Sequence, residues 1–259
     1  MTLHIAQLRI KLVKSVPIFF LATSTFAANG HFYVGGMLGA SRASLGKSSQ
    51  QITYDNGALT DRYPLSGNDS TVANVGVGGG YEFEGKGWVP AIGLGVGFYT
   101  LPTEYSFSGI VTETPLGGVS SPLYNYHYNI SSTRLMLESQ FNWFYHQFFP
   151  FINIGVGPAW NRLYGYSESS VSKTGFVALG PFRSNTDTNV AYQIGIGAGY
   201  AFNFTRSTSD FLHERISLMY RYVNLGNTSF GTRGGTYPYK LNTGRLTANE
   251  IELVFTHLI

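Results

Sequence analysis

What most limits the folds open to this chain is where its charges fall within alternating apolar runs. In RISLMYRYVNLG, residues 215–226, Ile216, Leu218, Tyr220 and Tyr222 recur at every second position, and Arg221 stands between the two tyrosines, in step with Ser217. A period of two describes a strand whose faces meet different surroundings. The same division recurs along the chain. Ala73, Val75, Val77, Tyr81 and Phe83 oppose Asn74, Gly76, Gly78, Gly80 and Glu82. Thr133, Leu135, Leu137, Phe141 and Trp143 oppose Ser132, Arg134, Met136, Glu138 and Gln140, while Ile251, Leu253, Phe255 and Ile259 oppose Ala248, Glu250 and Glu252. The segments Phe32 to Ser41, Trp88 to Leu101, Phe149 to Arg162 and Thr188 to Phe202 set branched and aromatic residues against glycines, amides and small side chains.

These eight segments are each about ten residues or longer, the length that a tilted strand needs to cross a bilayer. An arginine facing lipid near mid-bilayer costs about 2–4 kcal/mol. Turning Arg134, Glu138, Arg221, Glu250 and Glu252 outward together would cost several times that. The expectation is an all-β, eight-stranded antiparallel up-and-down transmembrane β-barrel with its polar face inside and its apolar face in hydrocarbon. Connections alternate between short ones and stretches of about twenty residues rich in Ser, Thr, Gly, Asn and Tyr, as expected for turns on one membrane side and loops on the other. Aromatic residues fall into two belts: Phe32, Tyr81, Phe83, Trp88, Phe141, Trp143, Phe149 and Tyr200 toward the short turns, and Phe98, Trp160 and Tyr222 toward the loops.

The first thirty residues carry Arg9, Lys11 and Lys14, a short apolar run from Val16 to Ala22, and small residues near Ala27. That order reads as a cleaved secretory signal peptide over 1–27, followed by one barrel domain over 28–259. Three of the 17 basic residues lie in the leader, so the remaining 14 balance the 14 Asp and Glu. A nucleic-acid partner thereby loses its electrostatic support. Cys is absent, which excludes disulfides, a thiol nucleophile and Cys-ligated metal.

An eight-stranded barrel is only just wide enough for side chains to fill it. Inward glycines would make room for long polar groups. Arg221 should lie near Glu250 and Glu252 on the adjacent strand, and Arg134 above Glu138 on its own strand. Together, Arg134, Glu138, Arg221, Glu250 and Glu252 form an expected buried ionic network that plugs the lumen, since buried charges must be paired.

The segments FYVGGMLGAS, PFINIGVGPAWNR, AYQIGIGAGYAF and SLMYRYVNLG resemble the eight-stranded outer-membrane barrels of Gram-negative bacteria, the group of the OmpA transmembrane domain, OmpX, Ail and Opa. The resemblance implies a monomer in the outer membrane, placed there by the barrel insertion machinery among outer-membrane lipids and lipopolysaccharide, with no cofactor. It also implies a structural or adhesin-like surface role, with host-cell or matrix ligands met by the loops. Such barrels usually end in an aromatic residue, whereas this chain ends in Ile259.

Two alternatives remain on the residues alone. A small pore would need an open lumen. A lipid A-modifying barrel enzyme would need a nucleophile beside a base, for which His127 with Ser131 or Ser132 is the first candidate and Asp69-Ser70 the second. We expect no enzyme. The last long connection carries Arg233, Lys240 and Arg245 without an acid, and these are candidate contacts for anionic glycans or lipopolysaccharide phosphates.

Overall fold

The computed structural model describes residues 29–54, 57–65, 71–119, 121–171, 181–202, 213–233 and 239–259. The expected signal peptide and the Asp69-Ser70 candidate lie outside them. Eleven strands follow in order: β1 (Gly30–Leu45), β2 (Ser49–Tyr54), β3 (Leu59–Pro64), β4 (Thr71–Phe83), β5 (Ala91–Thr100), β6 (Tyr105–Pro115), β7 (Ser121–Asn142), β8 (Phe148–Ser170), β9 (Asn185–Phe202), β10 (Glu214–Thr232) and β11 (Lys240–Leu258).

Eight of these close into a ring of antiparallel neighbours, β1-β4-β5-β7-β8-β9-β10-β11 and back to β1. The seam between β1 and β11 runs from Tyr33↔Leu258 to Leu45↔Leu246. Both described chain ends lie at the short-turn rim, where the Ile259 amide donates to the Phe32 carbonyl at 2.8 Å. Closure satisfies the strand-edge donors and acceptors that hydrocarbon could not.

Exposure follows the expected parity. Phe32, Leu38, Leu137, Val190, Ile196 and Leu253 are at least half exposed, whereas Arg221, Glu250 and Glu252 are at 1% or less. The lower barrel is therefore apolar outside and ionic inside, and only lipid can cover such a surface. Small inner-face residues make the polar filling possible: a Cβ on Gly97 would come within 2.8 Å of both the Tyr99 ring and a Glu138 carboxylate oxygen. Phe149 departs from the expected belt. It is 1% exposed, faces the lumen beside Phe151, and shares the inner parity of Asn153.

The long connections also differ from expectation, because much of their length is strand. β6 runs along the upper half of β7 from Tyr105↔Ile130 to Glu113↔Ser121, directly beyond the part paired with β5. The β2–β3 hairpin joins β6 through Leu59↔Pro115 to Arg62↔Thr112. On its other side, Gln50 Nε2 donates to the Lys240 carbonyl at 2.9 Å and the Asn242 amide donates to Gln50 Oε1 at 2.6 Å, tying β2 to β11.

This upper wall encloses a second interior of opposite chemistry. Tyr54, Tyr63, Phe107, Tyr124, Tyr126, Tyr128, Tyr166, Phe182 and Phe230 are buried together. Tyr128 lies between Phe107 and Tyr126, with centroids 5.5 and 6.1 Å away and near-parallel rings, and Phe230 meets its edge at 5.2 Å. The alternation in YNYHYNI, Tyr124 to Ile130, drives this: three tyrosines turn inward while Asn125, His127 and Asn129 face out. Above the membrane, strand parity serves an ordinary apolar core.

Candidate functional site: an ion-paired lumen under an aromatic cap

Two ionic layers cross the barrel. In the upper one, Arg134 on β7 grips Glu250 on β11 with two parallel bonds, Nη1 to Oε1 at 2.9 Å and Nη2 to Oε2 at 2.6 Å. Arg221 on β10 pairs with Glu252 at 3.2 Å and lies 3.9 Å from Glu250. Ser41 donates to Glu250 at 3.2 Å, and Asn74 Nδ2 to Glu252 at 2.7 Å. Tyr99 projects between the guanidinium groups, whose central carbons stand 4.3 Å (Arg134) and 4.4 Å (Arg221) from its ring centroid. Its hydroxyl donates to Glu138.

All five charged residues expected in the lumen are there, but one pairing differs. Arg134 reaches across the lumen to Glu250 rather than along its own strand to Glu138. Glu138 instead accepts from Tyr99, from Gln193 Nε2 at 2.8 Å and from Asn153 Nδ2 at 3.3 Å. Bidentate geometry explains the choice, since two parallel charge-assisted bonds outweigh a diagonal contact along one strand.

The lower layer was missed by sequence reasoning. Arg215 makes a second two-bond pair with Glu82, at 2.6 and 2.8 Å, and Asn142 donates to Glu82 at 2.7 Å. Phe144 and Phe149 flank the Arg215 guanidinium at 4.8 and 5.5 Å. Parity held the signal, because Glu82 shares the face of Gly80 and Arg215 that of Ser217 and Arg221. A cavity lies between the layers, lined among others by Tyr33, Gln140, Phe151 and Met219.

The outer end is closed differently. Arg233, expected as an exposed loop cation, is 3% exposed and pairs with Glu168 at 2.5 Å. It donates to the Tyr63 hydroxyl at 2.7 Å and to that of Tyr54 at 3.3 Å, with Phe182 5.0 Å from its central carbon. The sequence could not show that Glu168, far away in the chain, supplies the missing acid. Lys240 and Arg245 do face outward as expected.

Asp61, beside this group, is also buried, and its Oδ1 has no hydrogen-bond partner. Burial pushes its carboxyl up to about 6, and Glu113, directly opposite on β6, adds to the rise. The Tyr63 hydrogen bond and Arg233 act against it.

His127 pairs in register with Ser108 on β6 and Ser167 on β8, on the outer face of the upper wall. Ser132 is on the inner side, where it donates to Asn161 at 2.8 Å, and Ser131 is four residues along β7, about 13 Å of strand. Neither serine is brought to His127, so the candidate nucleophile and base of the enzyme alternative do not meet.

A closed antiparallel ring with lipid-facing aliphatic residues and enclosed ion pairs defines a transmembrane β-barrel. Residues 15–254 match the family described as "Outer membrane protein beta-barrel domain", and the chain belongs to that family and to the bacterial outer membrane. No curated protein sequence matches it. Among solved structures it is similar to Ail of Yersinia pestis, solved with the heparin analogue sucrose octasulfate (11% identity, 88% of this chain and 99% of that one, TM-score 0.36). It is also similar to the outer membrane protease OmpT of Escherichia coli (9%, 89% and 96%, TM-score 0.42) and to OprG of Pseudomonas aeruginosa (13%, 88% and 96%, TM-score 0.39).

Proposed function

We propose that this barrel is a non-enzymatic envelope protein that keeps its lumen shut and holds a rigid, folded surface above the membrane, where it stabilises the envelope and engages host-cell or matrix ligands. The observation that carries the reading is the double closure. Two layers of bidentate ion pairs cross the lower lumen above and below its cavity, and an aromatic core with a buried Arg233–Glu168 pair fills the upper wall. A pore would leave that path open. A lipid-modifying enzyme would bring a base to a nucleophile, which His127, Ser131 and Ser132 do not do.

Whole cells displaying the barrel, with and without the β2–β3 hairpin tip and the 172–180 segment, test the surface role. Binding to epithelial cells or matrix should fall in the deletions while the amount of folded barrel stays constant. Planar bilayers test closure, and steady nanosiemens-scale opening of the intact protein would refute it. Lipid A composition, compared by mass spectrometry with and without the protein, should be unchanged.

A further inference from the structure

Asp61, Glu113 and Glu168 turn into the part of the upper wall built by β3, β6 and β8, and Arg233 is the cation that faces them. Glu168 takes that cation, and Arg233 also donates to the hydroxyls of Tyr54 and Tyr63. Asp61 on β3 and Glu113 on β6 are left over. They stand directly opposite one another in the ladder, where Cβ atoms lie about 4.5–5.5 Å apart and like charges repel. Burial raises the Tyr124 hydroxyl above its ordinary range, and the negative fields of Glu168, Glu113 and Asp61 add to the rise, so this ring stands near all three acids.

Asp61 is 3% exposed; its Oδ2 accepts from the Tyr63 hydroxyl at 3.3 Å, and its Oδ1 accepts from no described group. Glu113, half-buried, makes no hydrogen bond or ion pair among the described residues. A buried carboxylate oxygen without a donor is costly, and a second carboxylate opposite it adds to the cost. A cation between the two strands answers both faults. The ligands present there are oxygens, since His127 faces out of the wall and the chain has no Cys. Oxygen ligands favour magnesium or calcium; magnesium demands a near-ideal octahedron, whereas calcium accepts an irregular shell of carboxylates and water. Glu113 lies near the outer end of β6, close to the exposed Leu116, so water reaches the place.

We propose that Asp61 and Glu113 hold a calcium ion between β3 and β6, with water completing its shell. The ladder between these strands is short, running from Leu59↔Pro115 to Arg62↔Thr112, and it is what joins the β2–β3 hairpin to β6. On the hairpin's other side, Gln50 ties β2 to β11. The ion clamps the hairpin to β6 from within, so the stiffness of the outer wall follows the calcium concentration outside the cell. This goes beyond the surface role, which asks only that the wall be folded.

The test uses the protein purified from membranes in detergent micelles and stripped with EDTA. Terbium, which occupies calcium sites and is excited through nearby tyrosines such as Tyr124, reports binding, and calcium is then titrated to displace it. Displacement should give a calcium Kd of about 0.1–1 mM, the range of extracellular sites. Asp61→Asn and Glu113→Gln should each weaken calcium roughly tenfold or more, because each removes half of the ligand charge. Glu84→Gln, which alters an acid paired with His31 at the short-turn rim, should match wild type. The heat-dependent gel shift of folded barrels confirms that the variants are intact. In a second measurement, calcium should slow hydrogen exchange in β3 and β6 of wild type and not of Asp61→Asn. The proposal is overturned if calcium up to about 10 mM displaces no terbium, if both variants keep wild-type affinity, or if magnesium competes equally well. It also fails if the two acids satisfy each other by sharing a proton at neutral pH, in which case calcium leaves exchange unchanged.

Discussion

Replacing Arg134 by leucine removes both of the short bonds to Glu250. The two side chains are 4% and 0% exposed, so water cannot take over. Glu250 would keep only the Ser41 hydroxyl at 3.2 Å and Arg221 at 3.9 Å, while Arg221 is already committed to Glu252. Stranding one member of a buried pair costs about 3–5 kcal/mol. At about 1.4 kcal/mol per factor of ten, Arg134→Leu should raise the unfolded fraction a hundredfold or more. Removing Glu250 as well should undo most of that loss, because an apolar pair of similar volume is often no worse than the ion pair it replaces. The assay is equilibrium urea unfolding in detergent micelles for wild type, Arg134→Leu, Glu250→Leu and the double variant. A coupling energy above about 2 kcal/mol is expected. If Arg134→Leu unfolds at the wild-type midpoint, or the two single losses simply add, the pair does not hold the lumen together and the argument for an ionic plug fails.

Other measurements probe different parts of the barrel. Burial holds the folded Asp61 carboxyl up at about 6 against an ordinary 3.8, so the folded chain keeps the extra proton and the upper wall should lose stability, on the order of 1–2 kcal/mol after solvent screening, as pH rises from 4 to 6, then level off. Asp61→Asn should abolish that slope in hydrogen exchange of β2 and β3, and a slope of the opposite sign would refute the assignment. Gly199→Val should prevent or severely weaken folding, since a Cβ there would stand 2.3 Å from the Phe149 ring, and the heat-dependent gel shift reports it. Arg233→Met should loosen the upper wall, seen as faster proteolysis within β8 and β10, because it leaves Glu168 buried without its cation.

Strand parity made the lower barrel legible in the sequence. Arg134, Arg221, Glu250 and Glu252 could be assigned to the lumen from alternation alone, because each stands in step with glycines, amides or small polar residues on its strand. Their partners could not, since a choice between Glu138 and Glu250 depends on distances across a closed cylinder. The upper wall was harder to read for a different reason. Ser, Asn and Gly between tyrosines suggest loop composition, yet Tyr124, Tyr126 and Tyr128 keep the same period as the strands below. There the sense of the alternation is reversed, with the apolar side chains turned in.

That reversal is written into a single strand. On β7 the inner face passes from Glu138 and Arg134 to Tyr128 and Tyr126, while the outer face passes from Leu137 and Leu135 to Asn129 and His127. Between Ile130 and Thr133 the molecule exchanges one solvent for another while the β7–β8 ladder runs on unbroken, although the other neighbour of β7 changes there from β5 to β6. A slip of β7 by a few residues would therefore set tyrosines among the ion pairs and carboxylates among the stacked rings, so the position of the water line acts as a ruler for register. Parts above and below that line should also be separable by design: a different outer end could be spliced onto this barrel there, provided that its strands enter with their greasy side turned inward.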